Sequence, residues 1–417
     1  MPKKCYYFRT HSVSNVLFDI FTGSVSLAAG DYHSMILKQD GSMWTCGLNS
    51  NGQLGINSMR FTSNSLTQAI PSGATAIAAG TSHSIVLKKD DSVWATGTQI
   101  NYADMHEFFF QIFIFGAEAV ASGSRHSLVL TQLGSVWTSG WNRFGQLGDS
   151  TYRDTNRFHR VIIEDAKAVA AGHVHSMVLK VDGSVWAAGW NKNGQLGDGG
   201  IRSKNKFLKV IGSGVEAVAA GGYHSMALKQ DGTVWATGWN QYGQLGVCTE
   251  FDRNIYRIVS RKAKAIAAGT RHSMVLKQDG SVWTAGSNLQ GQLGYTSGKQ
   301  RCAFVKVIPS GAKSMAAGGY HSMVLKQDGT ILAAGSNRFG QLCYGKDQDL
   351  VQVFVEVAQS NNGAVHEAIA CYRDAYGPFF PYQNAPHYLP RALIVLLLLS
   401  HKRNTFDSSI YECAAGY

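Results

Sequence analysis

The sequence predicts an all-β chain: a seven-bladed β-propeller of four-stranded antiparallel blades, followed by a short irregular C-terminal tail. Three observations predict it. A His-Ser pair recurs at His33, His83, His126, His175, His224, His272 and His321, at intervals of 50, 43, 49, 49, 48 and 49 residues, which is the signature of a repeat architecture. A glycine stands three residues before every one of these histidines and another fourteen after it. Each unit, finally, breaks into short apolar runs of strand length separated by turn signals.

In the unit EAVAAGGYHSMALKQDGTVWATGWNQYGQLG three strands follow directly, with Asp-Gly between two of them marking a hairpin. Tryptophan stands eleven residues after the histidine in six units (Trp44, Trp94, Trp137, Trp186, Trp235, Trp283), and Leu332 takes its place in the seventh. A variable stretch then leads to a fourth strand, such as KFLKVI over 206–211. Seven such units close radially, which protects the strand edges. A helical solenoid of similar period is disfavoured because helix caps and helix-period stripes are missing, whereas Val, Trp and Thr crowd the strands.

The propeller is expected over residues 23–360, preceded by an N-terminal segment (1–22) and followed by a divergent tail (361–417). Two segments compete to supply the outer strand of the seventh blade: 16–21 near the start and VQVFVEV (351–357) near the end. Unit 2 lacks the NxxGQLG segment and carries the aromatic run FFFQIFIF (108–115), so a truncated loop beside an apolar strand is expected there. Unit 7 ends in GQLC at Cys343. The tail is read as poorly packed or as a broken eighth unit, since HEAIACY echoes EAVAAGG.

With 45% hydrophobic and 16% charged residues, the 417-residue chain has material for a large core. A formal charge of +11 favours acidic partners: nucleic acid, acidic protein surfaces or anionic membranes. The seven cysteines are irregularly spaced, odd in number and without CxxC pairs, so neither a disulfide ladder nor a zinc site is expected, and a reducing compartment fits. The basic start MPKKCYYFRT leads into no apolar signal core, and the apolar run 392–399 is far shorter than the roughly 20 residues of a spanning helix. A monomer in the cytoplasm or nucleus, with no membrane contact, is the resulting expectation.

The composite motif GxxHSxxLxxDGxVWxxGxNxxGQLG, repeated in register over roughly residues 23–345, resembles the signature repeat of the regulator-of-chromosome-condensation family. The β-lactamase inhibitory propeller is similar at the superfamily level. The resemblance implies the seven-bladed fold. Through the family's founding member it also implies guanine-nucleotide exchange on a Ran-like small GTPase, with attachment to chromatin. A fold of this kind hosts many functions, so the site must decide among them.

No catalytic group, cofactor or metal site is expected. The seven histidines lack an Asp, Glu or Cys partner in register, and a buried imidazole bonded to the backbone of its own blade is the role assigned to each. The GQLG loops lack the following helix that a phosphate loop needs, and their Asn is expected to cap the turn. Function should lie where the copies differ. Tracing strand direction places the dipeptide before each histidine and the NxxGQLG tip at one end of the propeller. That face gathers Tyr32, Arg125, Trp141, Arg143, Phe144, Trp190, Tyr223, Trp239, Tyr242, Arg271, Tyr320, Arg338 and Phe339, residue types that dominate interface hot spots. Basic residues also gather between units: Arg153, Arg157 and Arg160, then Arg202, Lys204, Lys206 and Lys209, then Arg253, Arg257, Arg261, Lys262 and Lys264. They form either a solvated rim or a track for nucleic acid. A protein-interaction platform is the leading expectation and exchange on a GTPase the alternative. Face-on inhibition of a secreted enzyme stands third. No unit exceeds 50 residues, which leaves no room for a large exchange wedge.

Overall fold

The computed structural model describes residues 24–357, apart from 59, 99–105, 114–115, 163, 250–251, 297 and 346–347. Every regular element in it is a strand, and the strands, numbered β1 to β28 along the chain, form seven four-stranded antiparallel sheets of four consecutive strands each. Blade 4 shows the pattern: β13 (Ala166–Ala171), β14 (His175–Lys180), β15 (Val185–Gly189) and β16 (Lys204–Ile211), side by side in that order. The hairpin register pairs His175 with Gly189 and Val178 with Trp186.

The second strand of each blade is buried on both faces because a blade packs against a neighbour on either side. In β14, Met177, Val178 and Leu179 are fully inaccessible. The core therefore lies between blades: Leu128 and Leu130 of blade 3 (117–162) share a cluster with Ala166 and Val178 of blade 4. Each such large side chain contributes on the order of 1.5–3 kcal/mol of transfer free energy. The conserved-register tryptophans staple the hairpin turns instead. The Trp186 indole N–H donates to Ser184 Oγ at 3.1 Å, and the Ser184 amide donates to Asp182 at 2.8 Å.

Around the axis the blades approach so closely that the glycine before each histidine is sterically required. A Cβ on Gly172 would lie 2.3 Å from the Gly221 carbonyl oxygen of the next blade and 2.5 Å from His175 Cε1. The last glycine of GQLG is required for two reasons. Gly197 has φ +75°, and a Cβ there would sit 2.4 Å from the Tyr256 ring of blade 5 (215–260).

The seventh blade is completed by β28 (Leu350–Glu356), which pairs with β27 (Ile331–Ser336), so the C-terminal candidate supplies its outer strand. The other candidate, 16–21, lies outside the described residues, as does the tail. In blade 2 the apolar strand is β8 (His106–Phe113), paired with β7 (Val93–Gly97) without a GQLG loop between them.

The expectation of unpaired cysteines is overturned. Cys46 is joined to Cys343, 297 residues away, and Cys248 to Cys302. Irregular spacing concealed both pairs because the ring makes the first and last blades neighbours and sets the loop after β19 (Val234–Gly238) beside β24 (Gln300–Ile308) of the next blade. Cys343 occupies the final glycine position of its loop with φ +54° and packs in one cluster with Leu66, where blades 4 and 5 carry the bulkier Phe207 and Tyr256. Disulfides belong to oxidising compartments, so cysteine usage no longer argues for a reducing one.

Candidate functional site

The seven histidines are fully buried, as expected, but their partner differs from the one predicted. Each imidazole reaches the serine of the following blade: His33 Nε2 to Ser84 Oγ at 2.8 Å, His126 to Ser176 at 2.9 Å, His175 to Ser225 at 2.8 Å, and so on to His321 and Ser34 at 2.8 Å, which closes the circle. The serine hydroxyl donates in turn to the glutamine carbonyl of a GQLG loop, as Ser176 does to Gln146 at 2.7 Å. With its proton so committed, the serine oxygen accepts, and the histidine carries its hydrogen on Nε2. Sequence pattern gave the burial but not the partner, because the partner belongs to another blade. Burial pushes His83, His126, His175, His224, His272 and His321 down to about 3 and His33 to about 4, so the ring is neutral and structural.

Blade 2 tests this account. It lacks the GQLG sequence, and Ser127 finds no such carbonyl among the described residues. The His83 imidazole there is shared between Ser127 at 3.1 Å and Ser122 at 2.7 Å, and Ser122 stands where the other blades have alanine.

The loop asparagines cap their turns. Asn191 Oδ1 accepts from the Leu196 amide at 3.0 Å while its Nδ2 donates to Asp198 at 2.8 Å and to two carbonyls beyond. These rigid loops carry the variable face.

On the axis, the first residue of each dipeptide rings a central channel of about 140 Å³. Its mouth is crossed by a polar cluster. His173 Nε2 donates to Asp31 Oδ1 at 3.1 Å, Thr81 donates to Asp31 Oδ2 at 2.6 Å, and Thr270 donates to Oδ1 at 3.2 Å. Burial alone would raise the Asp31 carboxyl. The His173 charge and the three hydrogen bonds outweigh it and hold the group well below the usual carboxylate range. Burial likewise works against the His173 charge, but Asp31 raises the imidazole above its ordinary value. Residues 142 apart in sequence meet here, so the pair was invisible in the motif. The available signal was that Asp31 and His173 are the one acid and one imidazole at a position otherwise filled by Gly, Ser and Thr.

The predicted face residues fall into three contact groups. In the first, Phe144 is wedged edge-on between Trp141 (5.2 Å) and Trp190 (4.2 Å). In the second, Tyr223 meets Trp239, Trp239 meets Tyr242, and the Arg271 guanidinium lies 5.1 Å from the Tyr242 ring centre and 5.8 Å from that of Trp239. In the third, Tyr32 stacks on Tyr320 and meets the Phe339 ring edge-on, with the Arg338 guanidinium 5.8 Å from that ring. Burial and the Tyr320 contact push the Tyr32 hydroxyl up to about 12. The groups span blades 3 to 7 and blade 1, and the series breaks at blade 2, where Thr81 and Ser82 are small and the NxxGQLG sequence is absent. Arg125 and Arg143 are exposed on the same face.

Between blades 3 and 4 lies a pocket of about 330 Å³ lined by Ser124, Arg125, Trp141, Phe144, His173, Val174, Trp190 and Tyr223. The basic inter-unit residues are elsewhere. They lie on and beside the outer strands β12 (Thr155–Ile162), β16 and β20 (Arg253–Ser260), mostly exposed, at the circumference of blades 3 to 5. Among the described residues no group of three or more His, Cys, Asp or Glu is placed to hold a metal.

Seven copies of one blade, cross-linked by a histidine–serine ring and decorated at one end, define a radial repeat protein. A family model described as the RCC1-like domain matches residues 9–257, more than half of the chain, and models of the regulator of chromosome condensation (RCC1) repeat match 263–292, 312–341 and 279–325. The chain belongs to the regulator of chromosome condensation repeat family. A search of the curated proteins finds no match. Among solved structures, human WBSCR16 is similar at 23% identity and TM-score 0.69, covering 76% of this chain and 93% of that one. Prp20p of Saccharomyces cerevisiae, described with its binding to Gsp1p and histones, is similar at 20% identity and TM-score 0.68, covering 82% and 89%. At these identities the likeness shows the shared fold.

Proposed function

We propose that the protein is an interaction platform that binds a protein partner through the loop face of the propeller. The observation that carries this reading is the combination of the three aromatic groups with five cations: Arg125, Arg143, Lys192, Arg271 and Arg338. None of the five has an ion pair among the described residues, and Asp31, the acid nearest the axis, is already engaged by His173. Aromatic and arginine side chains on a rigid scaffold are the anchors of protein interfaces. The seven repeat histidines have no acidic partner and are held in structural hydrogen bonds, which favours a regulatory over an enzymatic reading.

Membership of the family and likeness to Prp20p favour a second reading, guanine-nucleotide exchange on a Ran-like GTPase, with chromatin or nucleic acid held by the basic rim of blades 3 to 5. A cytoplasmic or nuclear setting belongs to both readings, and the two disulfides weigh against it.

The test introduces a photo-crosslinking amino acid at Arg143, Gln241 or Arg338 on the loop face, and at Leu133 or Val181 in the hairpin turns of the opposite end. Partner adducts are expected from the first set; adducts from the second set alone would overturn the platform reading. Addition of the protein to a Ran-type GTPase loaded with fluorescent GDP separates the two readings. Accelerated release, lost in Arg143→Ala or Tyr242→Ala, establishes exchange, and unchanged release at micromolar protein removes it.

A further inference from the structure

We propose that the pocket between blades 3 and 4 is the anchor for an acidic peptide segment. It takes one aromatic side chain of that segment, while carboxylates on either side pair with the cations at its rim. The inference rests on the platform reading and specifies the partner's chemistry at one place on the face.

Size and shape come first. An apolar cavity of about 150 Å³ is enough to hold benzene, so a pocket of about 330 Å³ walled by Trp141, Phe144, Val174, Trp190 and Tyr223 admits an aromatic side chain with the start of its backbone. The walls are already in place. The Phe144 ring stands nearly perpendicular to both tryptophans, at 85° and 88°, and its amide donates to Gln146 Oε1 at 3.1 Å within the capped loop. A preformed pocket saves the ordering cost that a mobile one would add on binding. The Trp190 indole N–H is buried with no acceptor among the described residues.

Charge selects among the occupants such a pocket would otherwise accept. Arg125 lines it, Arg143 and Lys192 stand exposed on the two adjoining loop tips, and the Lys192 ammonium lies 5.5 Å from the Trp190 ring centre. No carboxylate lines the pocket, and the nearby His173 is already paired. Aromatic walls by themselves would suit a quaternary ammonium or a basic peptide, but three unneutralised cations at the mouth oppose any cation and favour an anionic ligand. Nucleic acid meets the charge requirement but not the geometry. Bases bind by stacking on open ring faces, whereas the Phe144 ring is enclosed edge-to-face by a tryptophan on each side.

The experiment measures fluorescence anisotropy of labelled probes against the full-length protein. The probes are the peptide EEDEFEDEE, its counterpart EEDESEDEE, the basic peptide KKRKFKRKK and a twelve-residue oligothymidylate. The phenylalanine peptide is expected to bind at least tenfold more tightly than the serine peptide. Trp190→Ala, and separately the exposed pair Arg125→Glu and Arg143→Glu, should each weaken it tenfold or more, with circular dichroism unchanged in the charge-reversed variant. Lys313→Glu, exposed at the start of β25 (Ala312–Ala317) of blade 7, should leave it within twofold. Equal affinity for the two acidic peptides, tighter binding of the basic peptide or the oligonucleotide, or an equal loss in Lys313→Glu would each overturn the anchor. If the peptide fails while crosslinks from Gln241 and Arg338 persist, the pocket assignment falls and the platform reading stands.

Discussion

The histidine–serine relay shows how one residue type can hold a ring together without any charge. The serine proton goes to a glutamine carbonyl, so the imidazole N–H has one acceptor, and removing that acceptor leaves a buried donor unpaired. Such a loss costs about 1–3 kcal/mol. Ser176→Ala, which strips His126 of its partner, should therefore destabilise the protein by that amount in urea unfolding. Ser127→Ala should cost clearly less, because His83 keeps Ser122 at 2.7 Å. Equal losses would mean that the second serine does not substitute. The same comparison separates a hydrogen-bond effect from a packing effect, since both changes remove one hydroxyl from a fully buried site.

At the scale of the blade, what matters is the seam between neighbours rather than the sheet. The GQLG loop of one blade lies against the outer strand of the next, so the aromatic residue there and the glycine above it are chosen together. Gly148 sits over Phe207, Gly197 over Tyr256, and Gly246 over Phe304. Blade 2 lacks the GQLG sequence, and Phe158 of blade 3 meets the Phe113 ring edge-on at 5.6 Å. The seam between blades 1 and 7 has a covalent bond in addition, because Cys46 and Cys343 lie at the level of the same loop. Cross-links that close long segments of chain are worth about 2–4 kcal/mol. Replacing both cysteines by alanine should lower stability by that amount, and a reductant should then have a smaller further effect on the variant than on the parent protein. A variant whose urea midpoint matches the parent's would show that the ring closes as firmly without the bond.

For the molecule as a whole, seven buried neutral histidines set its response to acid. Their folded values lie below the ordinary 6.5 of the unfolded chain. Their contribution is therefore complete above about pH 6.5 and is lost as the pH falls toward the folded values. All seven act in the same direction, so stability falls steeply as the pH drops below about 6.5. Cooperative unfolding near pH 5 is the expected result, monitored by tryptophan fluorescence; a propeller intact at pH 4 would contradict it. His173 has the opposite sign, since Asp31 raises it and its contribution fades as the pH rises, but it is one group against seven.

The architecture was legible because the same physical demand recurs seven times. Glycine before histidine, Asp-Gly in the hairpin and Asn before GQLG are each required by a local geometry, and repetition made them visible. The face residues were legible by subtraction, as the positions where copies differ on loops whose direction the strands fix. What the sequence by itself determined is thus everything that one blade needs to fold and everything that must be identical in all seven. The tertiary structure alone decided what passes between blades: the serine that each histidine finds, the Asp31–His173 pair across the axis, the two disulfides, and the pocket enclosed by Trp141, Phe144 and Trp190. Those that run between blades join residues from 39 to 297 positions apart. Sequence distance carries no information about which side chains a closed circle sets face to face.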